Sequence, residues 1–104
     1  MSLENLNSDN FNEKIKTGIV VVDFYADWCG PCKKLTPTLE QVAENNKDIS
    51  VYKVNVDECN DIASHFGVRS IPYLVFFNEG NKVSTLTGLN DQNKILAEVN
   101  KIRI

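Results

Sequence analysis

Between Ile19 and Tyr25 the chain is apolar at every position except Asp23, and β-branched residues dominate the run. Nearly unbroken apolarity predicts a strand covered on both faces, and therefore a central one, because a strand with one side in water alternates instead. Further along the period lengthens: Leu35, Leu39, Val42 and Ala43 recur at helical spacing, which predicts a helix from Lys33 to Asn45 kinked by Pro37. From Ile49 to Val56 the chain alternates, with Ile49, Val51, Lys53 and Asn55 on one side, and reads as a second strand. Asp57 is placed to cap a short helix through Phe66. Tyr73–Phe77 and Lys82–Thr87 flank an Asn78-Glu79-Gly80-Asn81 turn and predict a hairpin whose second strand is an antiparallel edge. Ser8 is the candidate cap of a first helix carrying Phe11 and Ile15 and stopping at Gly18, and a last helix is expected from about Asp91 with Ile95, Leu96, Val99 and Ile102 on one side. Strands interleaved with helices, ending in a hairpin and a helix, predict an α/β fold with a mixed central sheet and helices on both faces. No repeat, low-complexity tract or linker breaks the pattern, so residues 1–104 are expected to form one domain.

Composition narrows the function classes. An apolar share of 42% in 104 residues is enough for a real core without disulfide staples, and three cysteines, two of them clustered, do not make the even framework of a small secreted domain. A reducing compartment fits better. The polar, acidic first 20 residues contain no basic segment followed by an apolar stretch, and no window approaches the roughly 18 apolar residues of a membrane span. The expectation is a soluble cytoplasmic monomer with no membrane or nucleic-acid partner, since a net charge of −3 and a pI near 5.0 oppose phosphate binding.

The chemistry gathers in Trp28-Cys29-Gly30-Pro31-Cys32, between the central strand and the long helix. Unpaired N–H groups and the positive dipole end at a helix start favour a thiolate, the nucleophilic form of cysteine. Cys29, ahead of the helix, is expected to be exposed and to attack a substrate disulfide; Cys32, in the first turn, is expected to be shielded and to resolve the mixed disulfide. Pro31 suits an early helical position, where its missing N–H costs nothing. A zinc site is the competing reading of a C-x-x-C pair, but only Cys59 and His65 are left to complete four ligands. A structural staple is a poor alternative, because so short a loop removes little unfolded-state entropy. Asp23, apolar on both sides, reads as a desolvated carboxyl with a raised pKa that could take the Cys32 proton, or else as an outward-facing residue at an edge. Lys53 on the neighbouring strand would tune it by charge, or would simply be solvated. Cys59 reads as a spare thiol, with an intermolecular disulfide as the alternative, and His65 as a surface residue.

Phe24-x-Ala26-x-Trp28-Cys29-Gly30-Pro31-Cys32-Lys33, with Asp23 before it, resembles the active-site stretch of the thioredoxin family, and the likeness runs over essentially the whole chain. Pro37, Lys53, Ile71-Pro72, Gly80 and Gly88 fall where the family has its helix-kinking proline, its lysine near the buried acid, its cis-proline loop and its late glycines. The resemblance implies a thioredoxin fold of about five strands and about four helices. It also implies a cis Ile71–Pro72 bond beside Cys29, substrate docking on Trp28, Ile71, Pro72 and Gly88, and no bound cofactor other than the redox-active Cys29–Cys32 pair. The implied electron source is NADPH through a flavin thioredoxin reductase, and the implied acceptors are proteins such as ribonucleotide reductase, peroxiredoxin and methionine sulfoxide reductase. A disulfide oxidase or isomerase on the same fold, or a binding module with incidental cysteines, are the rival functions. Two positions depart from the family: Tyr25 stands where many members have a second tryptophan, and Tyr73 where threonine is common. Tyr73 lies near the expected docking site, with local packing at a strand start as its plainer reading.

Overall fold

The computed structural model describes residues 3–104; Met1 and Ser2, counted in the one-domain expectation, lie outside the described residues. In chain order these residues form β1 (Glu4–Asn5), α1 (Phe11–Lys14), β2 (Ile19–Tyr25), α2 (Gly30–Asn45), β3 (Ile49–Asn55), α3 (Asn60–His65), β4 (Tyr73–Asn78), β5 (Asn81–Thr87) and α4 (Gln92–Arg103). The five strands make one sheet in the order β1-β3-β2-β4-β5. β1, β3 and β2 run parallel, and β4 and β5 are antiparallel to their neighbours. β2 is therefore central and β5 an edge, as the apolar runs predict.

The period of two along β2 divides the core. Val20, Val22 and Phe24 pack with Phe11, Ile62 and Phe77 on the side of α1 and α3, while Val21 packs with Leu35, Leu39, Val42, Ile95 and Val99 of α2 and α4. Asp23 has the parity of Val21, so its carboxyl lies on the α2 side. One cross-strand row runs Asn5, Lys53, Asp23, Leu74 and Leu86 across all five strands. Tyr73 turns the other way, 6.5 Å from the Phe24 ring and packed, partly buried, on the α1/α3 core.

Several element boundaries differ from the pattern reading. α1 is one turn long and starts at Phe11; the Ser8 hydroxyl donates to Asp61 (2.7 Å) instead of capping it, and Asn7 Oδ1 takes the N–H groups of Asp9 and Asn10. Gly18 does adopt a positive φ, 74°, but after the helix has ended. α2 starts at Gly30, ahead of the first apolar residue of its stripe, because Cys29 and Pro31 begin it. Asp57 caps nothing: Asn55 Oδ1 accepts from the N–H groups of Asp57 and Glu58, and α3 starts later. β1, two residues long, carries no periodic signal. The hairpin turn has φ of 51° at Glu79 and 85° at Gly80, the pair of positive values that a tight two-residue turn needs to match the strand twist.

Asp91 caps α4 as expected, its Oδ1 accepting from Lys94 N–H at 2.9 Å. Asp91→Ala is expected to lower stability by about 1 kcal/mol, the usual cost of losing such a cap. Denaturant unfolding with an unchanged m-value is the check, and an unshifted midpoint would show that the cap contributes nothing.

Candidate active site

β2 delivers Asp23 and Tyr25 to one face and then releases the chain into a short turn, closed by Cys29 N–H on Ala26 O (3.2 Å). Cys29 is the N-cap of α2: its backbone is extended, and its Sγ accepts the Cys32 N–H at 3.2 Å. The sulfur thus stands at the helix's unpaired donors, the position that stabilises a thiolate when the pair is reduced. Here Cys29 and Cys32 are joined in a disulfide, with Cα atoms 5.3 Å apart. Cys29 is not open to solvent as expected; it is 5% exposed and Cys32 2%, because Ala26, Tyr25, Val56 and Ile71 close over the bonded pair. Exposure falls to the residues around it, Trp28 at 71%, with Gly30 and Pro31 also open.

Trp28 is anchored by its indole N–H, which donates to Asp57 Oδ2 at 2.9 Å. Its indole leaves a large apolar face in water beside the bonded cysteine pair. Ile71 is half-buried against the cysteine pair, and Pro72, joined to it by a cis bond, is buried. Gly88 N–H donates to Pro72 O at 2.8 Å, tying the end of β5 to that loop, and Leu89 beyond it is 53% exposed.

On the α2 side of β2, Asp23 is wholly buried, and neither carboxylate oxygen has a hydrogen-bond partner among the described residues. Burial pushes its pKa up to about 7, against the pull of the nearby Lys53 charge, which lowers it. Lys53 does not form an ion pair with it within 4 Å. Its Nζ instead sits 4.1 Å over the Tyr25 ring and donates to Thr36 Oγ1 (3.4 Å), whose hydroxyl donates to the Cys32 carbonyl (3.2 Å). Tyr25, Ala26, Asp27, Cys32, Lys33, Thr36 and Lys53 line a cleft of about 90 Å³ between Cys32 and this lysine.

Cys59 is buried, its Sγ 3.7 Å from the Leu6 carbonyl, and burial, then Asp61 and Glu58, push its thiol pKa up. That placement removes it from intermolecular bonding. His65 is exposed on α3 and meets Phe66 edge-on at 4.9 Å, on the side of the sheet opposite α2.

The thioredoxin family model matches residues 2–101. The chain belongs to the thioredoxin family. It is 41% identical over 96 residues to a thioredoxin of Chlamydia caviae, covering 92% of this chain and 94% of that protein. It is 37% identical over 102 residues to one of Rickettsia prowazekii, covering 95% and 97%. Among solved structures, the oxidized mitochondrial thioredoxin 3 of Saccharomyces cerevisiae superposes with a TM-score of 0.88 at 32% identity, covering 95% of this chain and 94% of that one. The family consists of thiol–disulfide oxidoreductases that carry a redox-active disulfide and no prosthetic group, and their partners are disulfide substrates and a reductase. The mixed five-stranded sheet and four helices are its fold. No helix among the described residues is long and apolar enough to cross a membrane.

Three contacts of the site were not read from the sequence. Asp57, taken for a helix cap, anchors Trp28; Asn5 and Thr36, unremarked, bond Tyr25 and Lys53. Strand parity could have put Tyr25 beside Asp23, but no local signal brings β1 to them.

Proposed function

We propose that this chain reduces protein disulfides, with Cys29 as nucleophile, Cys32 as resolving thiol and Asp23 as the group that takes the proton. The observation that supports it most is the bonded cysteine pair at the head of α2, directly after the strand that carries the buried Asp23 carboxyl, which has no hydrogen-bond partner among the described residues. The Cys29 thiolate bonds to one sulfur of the substrate disulfide, and the other substrate sulfur leaves as a thiolate and is protonated from water. Cys32 then passes its proton to Asp23, directly or through a water in the adjoining cleft, and bonds to the Cys29 sulfur. The second substrate thiolate departs. Two electrons have moved, and the Cys29–Cys32 disulfide remains. Lys53 tunes Asp23, Gly30 and Pro31 shape the helix start, and Trp28, Ile71, Pro72 and Gly88 receive an extended substrate segment whose backbone pairs with that of Ile71. Electrons come from NADPH through a flavin thioredoxin reductase. The acceptors are cytoplasmic enzymes that accumulate disulfides, such as ribonucleotide reductase, peroxiredoxin and methionine sulfoxide reductase, and residues 1–104 act as a monomeric single domain.

The equilibrium reduction potential of the pair, set against a glutathione series and read by Trp28 fluorescence, tests this function. A value well below the glutathione couple is expected. A value near or above it would make the chain an oxidase or isomerase.

A further inference from the structure

The aromatic ring of Tyr25 is sandwiched in a specific way. Its hydroxyl donates to Asn5 Oδ1 at 2.6 Å, which ties the ring to the edge strand β1, and the Lys53 ammonium rests 4.1 Å above its centroid. Lys53 is the direct cross-strand partner of both Asn5 and Asp23, so its Cα is fixed between the two while its four-carbon stem is free to lean either way. It leans toward Tyr25 and the Thr36 hydroxyl. Asp23, the stronger electrostatic partner for an ammonium, is left without a bonded neighbour. A cation in a half-desolvated site is attracted by a ring face, and the anchoring by Asn5 keeps that face in place.

We propose that Tyr25 is a positioning residue: by holding the Lys53 ammonium over its ring it keeps this charge out of contact with Asp23, and so sets the proton affinity of that carboxyl. The inference rests on the role given to Asp23 above. Burial and the neighbouring acids Asp27 and Glu58 push the Tyr25 phenol up, so the ring stays neutral throughout the range in which Asp23 titrates. The charged and titratable groups around the site are few. β3 presents Lys53, α2 presents Cys32 and Lys33, the segments after β2 and β3 present Asp27 and Glu58, while β4 and α4 contribute the apolar Leu74, Ile95 and Val99. Among the described residues Lys53 is thus the only cation in the carboxyl's own strand row, and its position is the variable that Tyr25 controls. At an effective dielectric of about 20, bringing an ammonium from about 6 to about 4 Å of a carboxylate changes proton affinity by about tenfold.

The test is a carboxyl-carbon NMR titration of Asp23 in the oxidised protein, paired with the pH profile of mixed-disulfide release. Tyr25→Leu removes the ring face, and the Asp23 midpoint is expected to fall by about one pH unit, with the release profile moving alongside it. Tyr25→Phe keeps the face and is expected to keep the midpoint. In a Lys53→Met background, Tyr25→Leu is expected to shift nothing. Asn5→Ala, at an exposed position that does not threaten folding, frees the ring and is expected to lower the midpoint in the same direction by less. An unmoved midpoint in both Tyr25→Leu and Asn5→Ala, or an undiminished shift without Lys53, overturns the proposal. A midpoint that moves while the release profile stays put leaves Tyr25 as the tuner and removes Asp23 from the proton transfer instead.

Discussion

Replacing Cys32 by serine is expected to leave the protein covalently attached to its substrate. Cys29 still stands at the N-cap of α2, with the donors of the first turn behind it, so attack on a substrate disulfide proceeds. Resolution is what fails. In the parent the second sulfur lies one helical turn away, with Cα atoms 5.3 Å apart, and such intramolecular placement is worth effective concentrations up to about 10⁵ M. A small thiol in solution at about 1 mM replaces it poorly, and turnover is expected to fall by at least about 10³-fold. Non-reducing electrophoresis should show a substrate adduct with Cys32→Ser that is missing with Cys29→Ser. Turnover within tenfold of the parent, with no adduct, would take Cys32 out of the resolving role.

The second large effect concerns stability, and its sign follows from Asp23. An aspartate in the unfolded chain titrates near 3.8, whereas burial in the folded protein raises this one to about 7. Between those values the folded state holds a proton that the unfolded state has lost, so stability falls as pH rises, by about 1.4 kcal/mol per pH unit. The contribution is complete below about pH 4 and gone above about pH 7, a total of about 4 kcal/mol. Asp23→Leu removes this dependence and fills the site with apolar volume. The oxidised variant is expected to gain little over the parent at pH 4 and about 4 kcal/mol at pH 8, as read by denaturant unfolding across that range. A stability difference that does not change with pH would mean that Asp23 ionises normally. The proposed proton transfer uses this same carboxyl, whose raised pKa suits it to take a proton near neutral pH. Asp23→Asn should accordingly slow release of the mixed disulfide near neutral pH by about 10²-fold, with formation little changed.

Much of this was visible along the chain because it depends on local periodicity. The two-sided apolarity of Ile19–Tyr25 marked the central strand, and with it the oddity of Asp23, since a charge in such a run has nowhere to be solvated. Cys29, Pro31 and Cys32 marked the head of a helix by rules that operate within a few residues. The two misread helix caps share one cause. Ser8 and Asp57 have the right side chains for capping, but each found a partner far off in the chain, Asp61 and Trp28, and a hydroxyl or carboxylate can serve only where the fold brings a partner to it.

By itself, then, the sequence determined the strand and helix periods, the unusual place of Asp23 in an apolar strand, the placement of the cysteine pair at a helix start, and the family. Only the tertiary structure decided how covered the Cys29 sulfur is, which way Lys53 leans, and that a two-residue strand at the far edge ties down the Tyr25 ring. Periodicity is a property of neighbours along the chain and survives in the letters. Desolvation and the choice among partners depend on residues brought together by strand pairing across β1, β3 and β2, and no local pattern records them.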